Sequence, residues 1–316
     1  MSSEQQRVVI LGTGGTIAGK AAQASDNVGY TAAQLSIESL IEAVPALASR
    51  QIEAKQVAQL DSKDMDFATW QLLAREVDAQ LQRADVAGVV ITHGTDTLEE
   101  TAYFLQRVLA PSKPVVLTAA MRPATALMAD GPQNLLDAVS VAFDRYASGV
   151  LLAFAGGVHE AWQVRKVHSY RVDAFASSEG AKLGVVEEGA VRWLLRGAVP
   201  RPALGLARIE TPAAQWPRVQ IVMNHVGADG SIVRALIAQG VDGIVVAGTG
   251  NGTVSNGLEA ALREAQAAGV RVLRSTRCDA GPVSELEGAL PSAGSLSPVK
   301  ARIELLLDLL AASPSA

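Results

Sequence analysis

Four short apolar runs set the frame of this chain: RVVILG (7–12), GVVITHG (88–94), KPVVLTAA (113–120) and GVLLAFAG (149–156). Each is rich in valine and leucine on both faces, the pattern of a strand covered on both sides. Between them lie amphipathic stretches: FATWQLLAREVDAQLQ (67–82), TLEETAYFLQRVLA (97–110) and NLLDAVSVAFDRYA (134–147). Strands alternating with helices predict an α/β domain built on a parallel sheet.

Around GAVPRPALGLARIETPAAQWP (197–217) the periodicity stops and four prolines appear, the mark of a linker. The rhythm then resumes through RVQIVMNHV (218–226), SIVRALIAQG (231–240), GIVVAGTG (243–250), GLEAALREAQAAG (257–269), VRVLRST (270–276) and a last helix near PVKARIELLLDLLAA (298–312). The expectation is two α/β domains, larger first: residues 1–197, a linker at 198–217 and a second domain at 218–316. A chain of 316 residues is long enough for both cores.

A net charge of −5 argues against a nucleic-acid binder. The single cysteine, Cys278, can form no internal disulfide. No apolar run reaches membrane-spanning length, and LLLDLLAA (305–312) is interrupted by Asp308. The polar start MSSEQQR runs straight into the first apolar run, so with residue 1 as the natural start the expected location is the cytoplasm.

The loop LGTGGTIAGK (11–20) follows the first strand. A dinucleotide fingerprint begins at Gly12 and Gly14 but meets Ile17 where the third glycine belongs. A P-loop fits Gly14, Gly19 and Lys20 but meets Ala21 where the magnesium-binding hydroxyl belongs. The second unusual stretch is ITHGTDTLEE (91–100), which puts Thr95 and Asp96 just past the carboxyl end of a buried strand, where open α/β sheets bind ligands. Thr97 with Glu100 reads as a capping box, with Asp96 as an alternative cap. Capping does not account for His93, Gly94 and Thr95 ahead of it.

Together the two stretches resemble the bacterial L-asparaginase family, threonine-dependent amidohydrolases. TGGTIAG (13–19) and THGTDTLEETAYFL (92–105) are similar to its signature segments. The resemblance runs on through DSKDM (61–65), AAMRP (119–123), ADGPQNL (129–135), VRK (164–166) and GNGTVSNG (250–257). It implies a larger N-terminal flavodoxin-like parallel sheet, a smaller C-terminal α/β domain, and hydrolysis of L-asparagine to L-aspartate and ammonia.

Amide hydrolysis needs a nucleophile, a path for its proton and donors for the developing oxyanion. The resemblance makes Thr16 the nucleophile, presented by a tight turn at Gly14 and Gly15, with Gly15 also lining the substrate site. It puts Tyr30 on a mobile loop over the site; GKAAQASDNVGYT (19–31) is polar and glycine-flanked, as suits a lid. It groups Thr95, Asp96 and Lys166 as a second catalytic cluster, in which an amine beside a carboxylate can accept a hydrogen bond from a threonine hydroxyl. Asp96 takes the substrate α-ammonium, Ser62 its α-carboxylate, the Thr95 amide the oxyanion, and Ala120 lines the pocket. From the second domain Thr253 and an acidic residue, Glu285 or Glu287, are expected to approach a neighbouring subunit's site in a homotetramer.

After Ser62 the family often has glutamine or an acidic residue, whereas Lys63 stands here at that substrate-side position. Two cations at ~4 Å repel by roughly 4 kcal/mol at an effective dielectric near 20. Lys63 is therefore expected to swing its ammonium toward solvent or a nearby carboxylate. His93, His159, His168 and His225 have no metal-ligand spacing, and His93 reads as a strand-end hydrogen-bonding residue. No metal or organic cofactor, nucleic acid or membrane is implied; the partner is a small amino-acid amide. Comparable activity on L-glutamine, a passive nucleotide- or amino-acid-binding protein, and an amidotransferase subunit remain alternatives, since one methylene shifts discrimination by only ~1–3 kcal/mol.

Overall fold

The computed structural model describes residues 6–177, 182–195 and 202–312. The chain divides into two compact units, Met1–Leu206 and Ala207–Ala316. That division falls inside the proline-rich stretch, of which residues 197–201 lie outside the described residues.

The first unit carries strands β1 (Arg7–Gly14), β2 (Lys20–Ala21), β3 (Tyr30–Thr31), β4 (Ile52–Leu60), β5 (Val86–Thr92), β6 (Val115–Thr118), β7 (Val150–Phe154), β8 (Gly157–Glu160), β9 (Val164–Lys166), β10 (Phe175–Ser177), β11 (Gly184–Glu187) and β12 (Ala190–Trp193). Its helices are α1 (Ile37–Glu42), α2 (Phe67–Leu81), α3 (Leu98–Leu109) and α4 (Gly131–Phe143). The main sheet runs β12-β11-β8-β7-β6-β5-β1-β4. From β4 to β7 every pairing is parallel. Counted along the chain, those five strands lie in the order 2-1-3-4-5, the flavodoxin-like arrangement, so the sheet reverses direction of growth between β1 and β5. A crevice opens at such a reversal, at the carboxyl ends of the two strands.

Apolar burial on both faces fixes this sheet. Val8 to Leu11 and Val89 to Ile91 are fully buried. Val8 and Ile10 share one cluster with Ile37 and Leu40 of α1 and with Leu135, Ala138 and Val139 of α4. Ile17 and Ala120, each beside a candidate site residue or one itself, belong to the same cluster, so the site loops are anchored in the core. Each such side chain contributes about 1.5–3 kcal/mol on leaving water. In α2, Trp70 stacks on Phe104 of α3, with ring centroids 4.6 Å apart.

The sequence pattern does not announce β4, IEAKQVAQL, because it is the sheet edge and its Glu53, Lys55, Gln56 and Gln59 interrupt any apolar run. Nor does it announce the antiparallel extension through β8, β11 and β12. The run GVLLAFAG is not one strand to its end: Ala155 (φ 46°) and Gly156 (φ 71°) make a two-residue hairpin turn from β7 into β8.

The second unit holds β13 (Val219–Met223), α5 (Ser231–Ala238), β14 (Gly243–Gly248), α6 (Asn256–Ala267), β15 (Arg271–Thr276) and α7 (Pro298–Ala312). Its three strands are parallel in the order β13-β14-β15. Val222, Val233, Ile244, Val246, Leu258, Leu262 and Val272 form its core.

Candidate active site

β1 ends at Gly14, and the chain passes through Gly15 into a single 3-10 turn at Thr16–Ala18. Both glycines have positive φ, 104° and 79°. A Cβ on Gly14 would collide with the Leu60 backbone, and one on Gly15 with the backbone of Gly94. The two glycines therefore let the ends of β1, β4 and β5 meet backbone to backbone. Three of the loop amides are taken by protein carbonyls: Gly15 N–H donates to Leu60 O, Ala18 N–H to Gly15 O and Gly19 N–H to Thr16 O. A phosphate cradle needs such amides to be open, so the near-miss to a P-loop is resolved against it.

The loop presents Thr16, which is buried. Its Oγ1 lies 2.6 Å from the Tyr30 hydroxyl. Tyr30 is carried by the hairpin of β2 and β3, with Lys20 opposite Thr31 and Ala21 opposite Tyr30. At the hairpin tip the Asp26 carboxylate accepts from the Val28 and Gly29 amides, which hold it below the usual carboxylate range. Gly19 packs against the Tyr30 ring and has no room for a Cβ. The third glycine of the motif thus serves the tyrosine.

The hairpin is also tied to the loop after β6. Ala124 N–H donates to Gly19 O (3.0 Å) and Leu127 N–H to Ala24 O (3.0 Å). Thr125 Oγ1 accepts from Ala21 N–H at 2.8 Å and donates to Ala21 O at 3.4 Å. One side chain thus pairs with both backbone groups of a hairpin residue.

The second half of the site lies past β5. Thr95 is buried, and Lys166 Nζ on β9 donates to its Oγ1 at 2.9 Å and to Asp96 Oδ1 at 2.6 Å. The lysine side chain is 19% exposed and the aspartate 54%, so the pair is rooted inside and open outward. Ser62, in the 3-10 turn after β4, is buried, and its Oγ accepts from Asp96 N–H at 3.2 Å. A Cβ on Gly94 would collide with Ser62 Oγ. Among the described residues no acceptor takes the Thr95 N–H.

The capping-box expectation fails for a physical reason. Thr97 does stand at the N-cap of α3, but its hydroxyl does not cap the helix; it donates to Ser62 O at 2.7 Å, and Asp96 is engaged by Lys166. The Thr97 hydroxyl expected to close the helix end instead joins the β4 and β5 loops.

Lys63 behaves as its charge requires. Its Nζ turns to Asp61 Oδ2 at 2.8 Å, and that hydrogen bond raises its pKa. Ala120 is buried at the end of β6. Thr253 and Glu287 lie in the second unit, both exposed. Thr253 Oγ1 is 2.9 Å from Thr249 Oγ1, and the Glu285 carboxylate accepts from Ser292 N–H, which commits it to its own loop.

Three supporting residues were not singled out by sequence reasoning. The Asp130 carboxylate accepts from the amides of Met121 and Arg122, both at 2.9 Å, and shapes the turn after Ala120. Burial lifts its pKa against the pull of those amides. Asn134 donates to Ala119 O and accepts from Ala155 N–H. Both sit within ADGPQNL, whose position before a helix reads as ordinary capping; Thr125 has no sequence signal at all.

His93 is fully buried, and loss of solvation pushes its pKa down to about 4. His159 is likewise pushed to about 4 by burial, with Lys182 adding to it, and lies 2.8 Å from Ser177 Oγ. Among the described residues no group of three or more His, Cys, Asp or Glu side chains is placed to hold a metal, and no helix is long and apolar enough to cross a membrane.

Comparison with known proteins gives consistent results across the chain. Residues 7–197 match the family model described as asparaginase, N-terminal, and residues 218–314 that of the glutaminase/asparaginase C-terminal domain. A Haemophilus influenzae protein named as a probable periplasmic L-asparaginase is 39% identical, covering 98% of this chain and 90% of its own. A glutaminase-asparaginase of Pseudomonas fluorescens biotype A is 38% identical, covering 96% of this chain and 86% of its own. The crystal structure of a probable cytoplasmic L-asparaginase from Campylobacter jejuni superposes with a TM-score of 0.89 at 39% identity, covering 96% of this chain and 95% of that one.

Proposed function

The chain belongs to the asparaginase family, and from that premise we infer an amidohydrolase that converts L-asparagine to L-aspartate and ammonia with Thr16 as its nucleophile. The observation that carries the residue roles is the meeting of two buried threonines at the sheet's reversal point, one facing a tyrosine and the other a lysine–aspartate pair. A passive binder has no use for that arrangement.

In this reading the Thr16 oxygen attacks the side-chain amide carbon as its proton passes to the Tyr30 oxygen 2.6 Å away, which hands on its own phenolic proton. The amide oxygen becomes an oxyanion held by the Thr95 N–H. The amide nitrogen takes up the proton relayed through Tyr30 and leaves as ammonia, giving an acyl ester on Thr16. Water then adds to the ester, steered by the Thr95 hydroxyl that Lys166 Nζ holds. As the bond to the Thr16 oxygen breaks, the proton shed by the water returns to that oxygen by way of Tyr30, and aspartate departs. Asp96 holds the α-ammonium, Ser62 the α-carboxylate, and Gly15 and Ala120 shape the pocket.

Comparable activity on L-glutamine is the second reading, supported by the relative named glutaminase-asparaginase. Ammonia release from asparagine and glutamine, measured side by side, separates the two; no release from either refutes the function. We further propose residues 1–197 as the domain with the main catalytic residues, 198–217 as linker, and 218–316 as a domain bringing Thr253 and Glu287 to a neighbouring subunit's site in a homotetramer. Light scattering showing an active monomer at assay concentration overturns that assembly. A cytoplasmic location follows the solved Campylobacter jejuni relative against the Haemophilus influenzae one, and cell fractionation decides it.

A further inference from the structure

We infer that His93 is a positioning residue that aims the oxyanion-binding amide of Thr95, through a hydrogen bond to the other end of the same peptide group. The inference rests on the reading of the Thr95 N–H as oxyanion donor, and otherwise on the direction of three hydrogen bonds.

Those directions are forced. Trp70 Nε1 can only donate, and it lies 2.9 Å from Thr101 Oγ1. Having accepted there, the Thr101 hydroxyl is left with its own proton to give, and 3.0 Å away stands His93 Nε2. At the far side of the ring, Nδ1 lies 2.8 Å from the Gly94 carbonyl oxygen, which can only accept. Both ends of the chain therefore agree: Nε2 is bare, Nδ1 carries the proton, and the imidazole is neutral. Complete burial of the ring supports the uncharged state.

The consequence lies in the planarity of the peptide group. The Gly94 C=O and the Thr95 N–H belong to one unit and point in opposite directions across it. A donor fixed on the oxygen fixes the direction of the N–H. It also polarises the group, which strengthens the N–H as a donor to a developing negative charge. The anchor is rigid: Thr101 comes from α3, Trp70 from α2, and the Trp70 ring is stacked on Phe104. Gly94 itself cannot accept a side chain, being pressed between Ser62 and Gly15, so its peptide is held from the histidine side.

The test separates aiming from simple packing. His93→Asn keeps a donor nitrogen on Cγ, in the place of Nδ1, and drops the contact to Thr101; His93→Leu drops both. Removing an oxyanion donor outright lowers kcat by roughly 10²–10³, so loosening one is expected to lower it about tenfold in His93→Leu. KM for asparagine should stay within about twofold, and His93→Asn should recover kcat to within about threefold of wild type. Wild-type kcat in a folded His93→Leu, or equal losses in both variants, overturns the inference. Should His93→Leu fail to fold, imidazole ¹⁵N spectra of the wild-type protein decide: a proton on Nδ1 sustains it and one on Nε2 ends it. A fully active Thr16→Ala would instead bring down the reading beneath it, whereas a dead Thr16→Ala beside an unimpaired His93→Leu condemns the aiming role alone.

Discussion

The two threonine loops sit on neighbouring strands and are built on opposite principles. Past β5, every neighbour of Thr95 belongs to the body of the domain: the buried His93, the buried Ser62 and the Lys166 of β9. Past β1, Thr16 takes its partner from a hairpin held at Gly19, Ala21 and Ala24 by the loop that carries Thr125. One hydroxyl is served by side chains rooted in the main sheet and its loops, the other by a tyrosine on a small hairpin held mostly by backbone ties.

The largest effects should come from the hydroxyls themselves. Thr16→Ala and Thr95→Val are each expected to lower turnover by at least about 10³, or ~4 kcal/mol of transition-state stabilisation, with the fold intact. Either variant keeping more than a tenth of wild-type turnover breaks the pairing of the two loops. Next in size is an acid effect confined to the fixed loop. The folded pKa of His93 is depressed to about 4 from an unfolded value near 6.5. Above pH 6.5 its contribution to stability is complete. As pH falls from 6.5 to 4 the unfolded chain binds a proton that the folded one refuses, and up to roughly 3 kcal/mol is lost. Urea unfolding of wild type and His93→Asn across that range should show the difference between them shrink as pH falls; parallel curves would mean that His93 is not neutral in the fold.

Asp96→Ala follows. With the aspartate as the anchor for the α-ammonium, KM for asparagine should rise by about a hundredfold, ~2.7 kcal/mol. A rise below tenfold, read from initial rates over a wide substrate range, would hand the ammonium to another group.

How much of this was visible in the chain itself differs between the two loops in the same way. The buried strands, the helices between them and the strand-end placement of Thr95 and Asp96 follow from period and apolarity alone. The expectation that Lys63 turns toward solvent or a nearby carboxylate comes from charge repulsion at a position the resemblance supplies, and Asp61 is the carboxylate it meets. The edge strand β4 escapes because its outward residues are polar, and the antiparallel β8, β11 and β12 because they are short. Thr97 misleads because the residue types that cap a helix also cross-link two loops, and only the path of β4 decides between them. The ties that hold the hairpin are invisible for a different reason. Thr125 lies 104 positions from Ala21, and half of its partnership is backbone, which carries no residue signature.

That tie gives the means to loosen one loop without the other. Thr125→Val preserves shape while removing the donor and acceptor on Ala21, a loss of about 1 kcal/mol for an exposed bond. KM should rise about five- to tenfold with kcat within threefold, and Thr125→Ser should restore both. An unchanged KM would show that the hairpin keeps its place without that tie.

The smallest effect is expected at Lys63, which tests whether the fixed loop binds substrate unaided. Its side chain is 64% exposed, and its ammonium is held on Asp61, with Asp96 adding a weaker pull. Lys63→Gln removes a cation that would repel the substrate's own, but one already turned aside and screened by water. It also leaves Asp61, among the described residues, with only the backbone amide of residue 63 as its partner. The two changes are small and opposed in sign, so KM for asparagine should shift by less than tenfold, under ~1.4 kcal/mol. A large rise would mean that the lysine leaves Asp61 when substrate arrives and grips the α-carboxylate beside Ser62, and the fixed loop would then owe part of its binding to a side chain that moves.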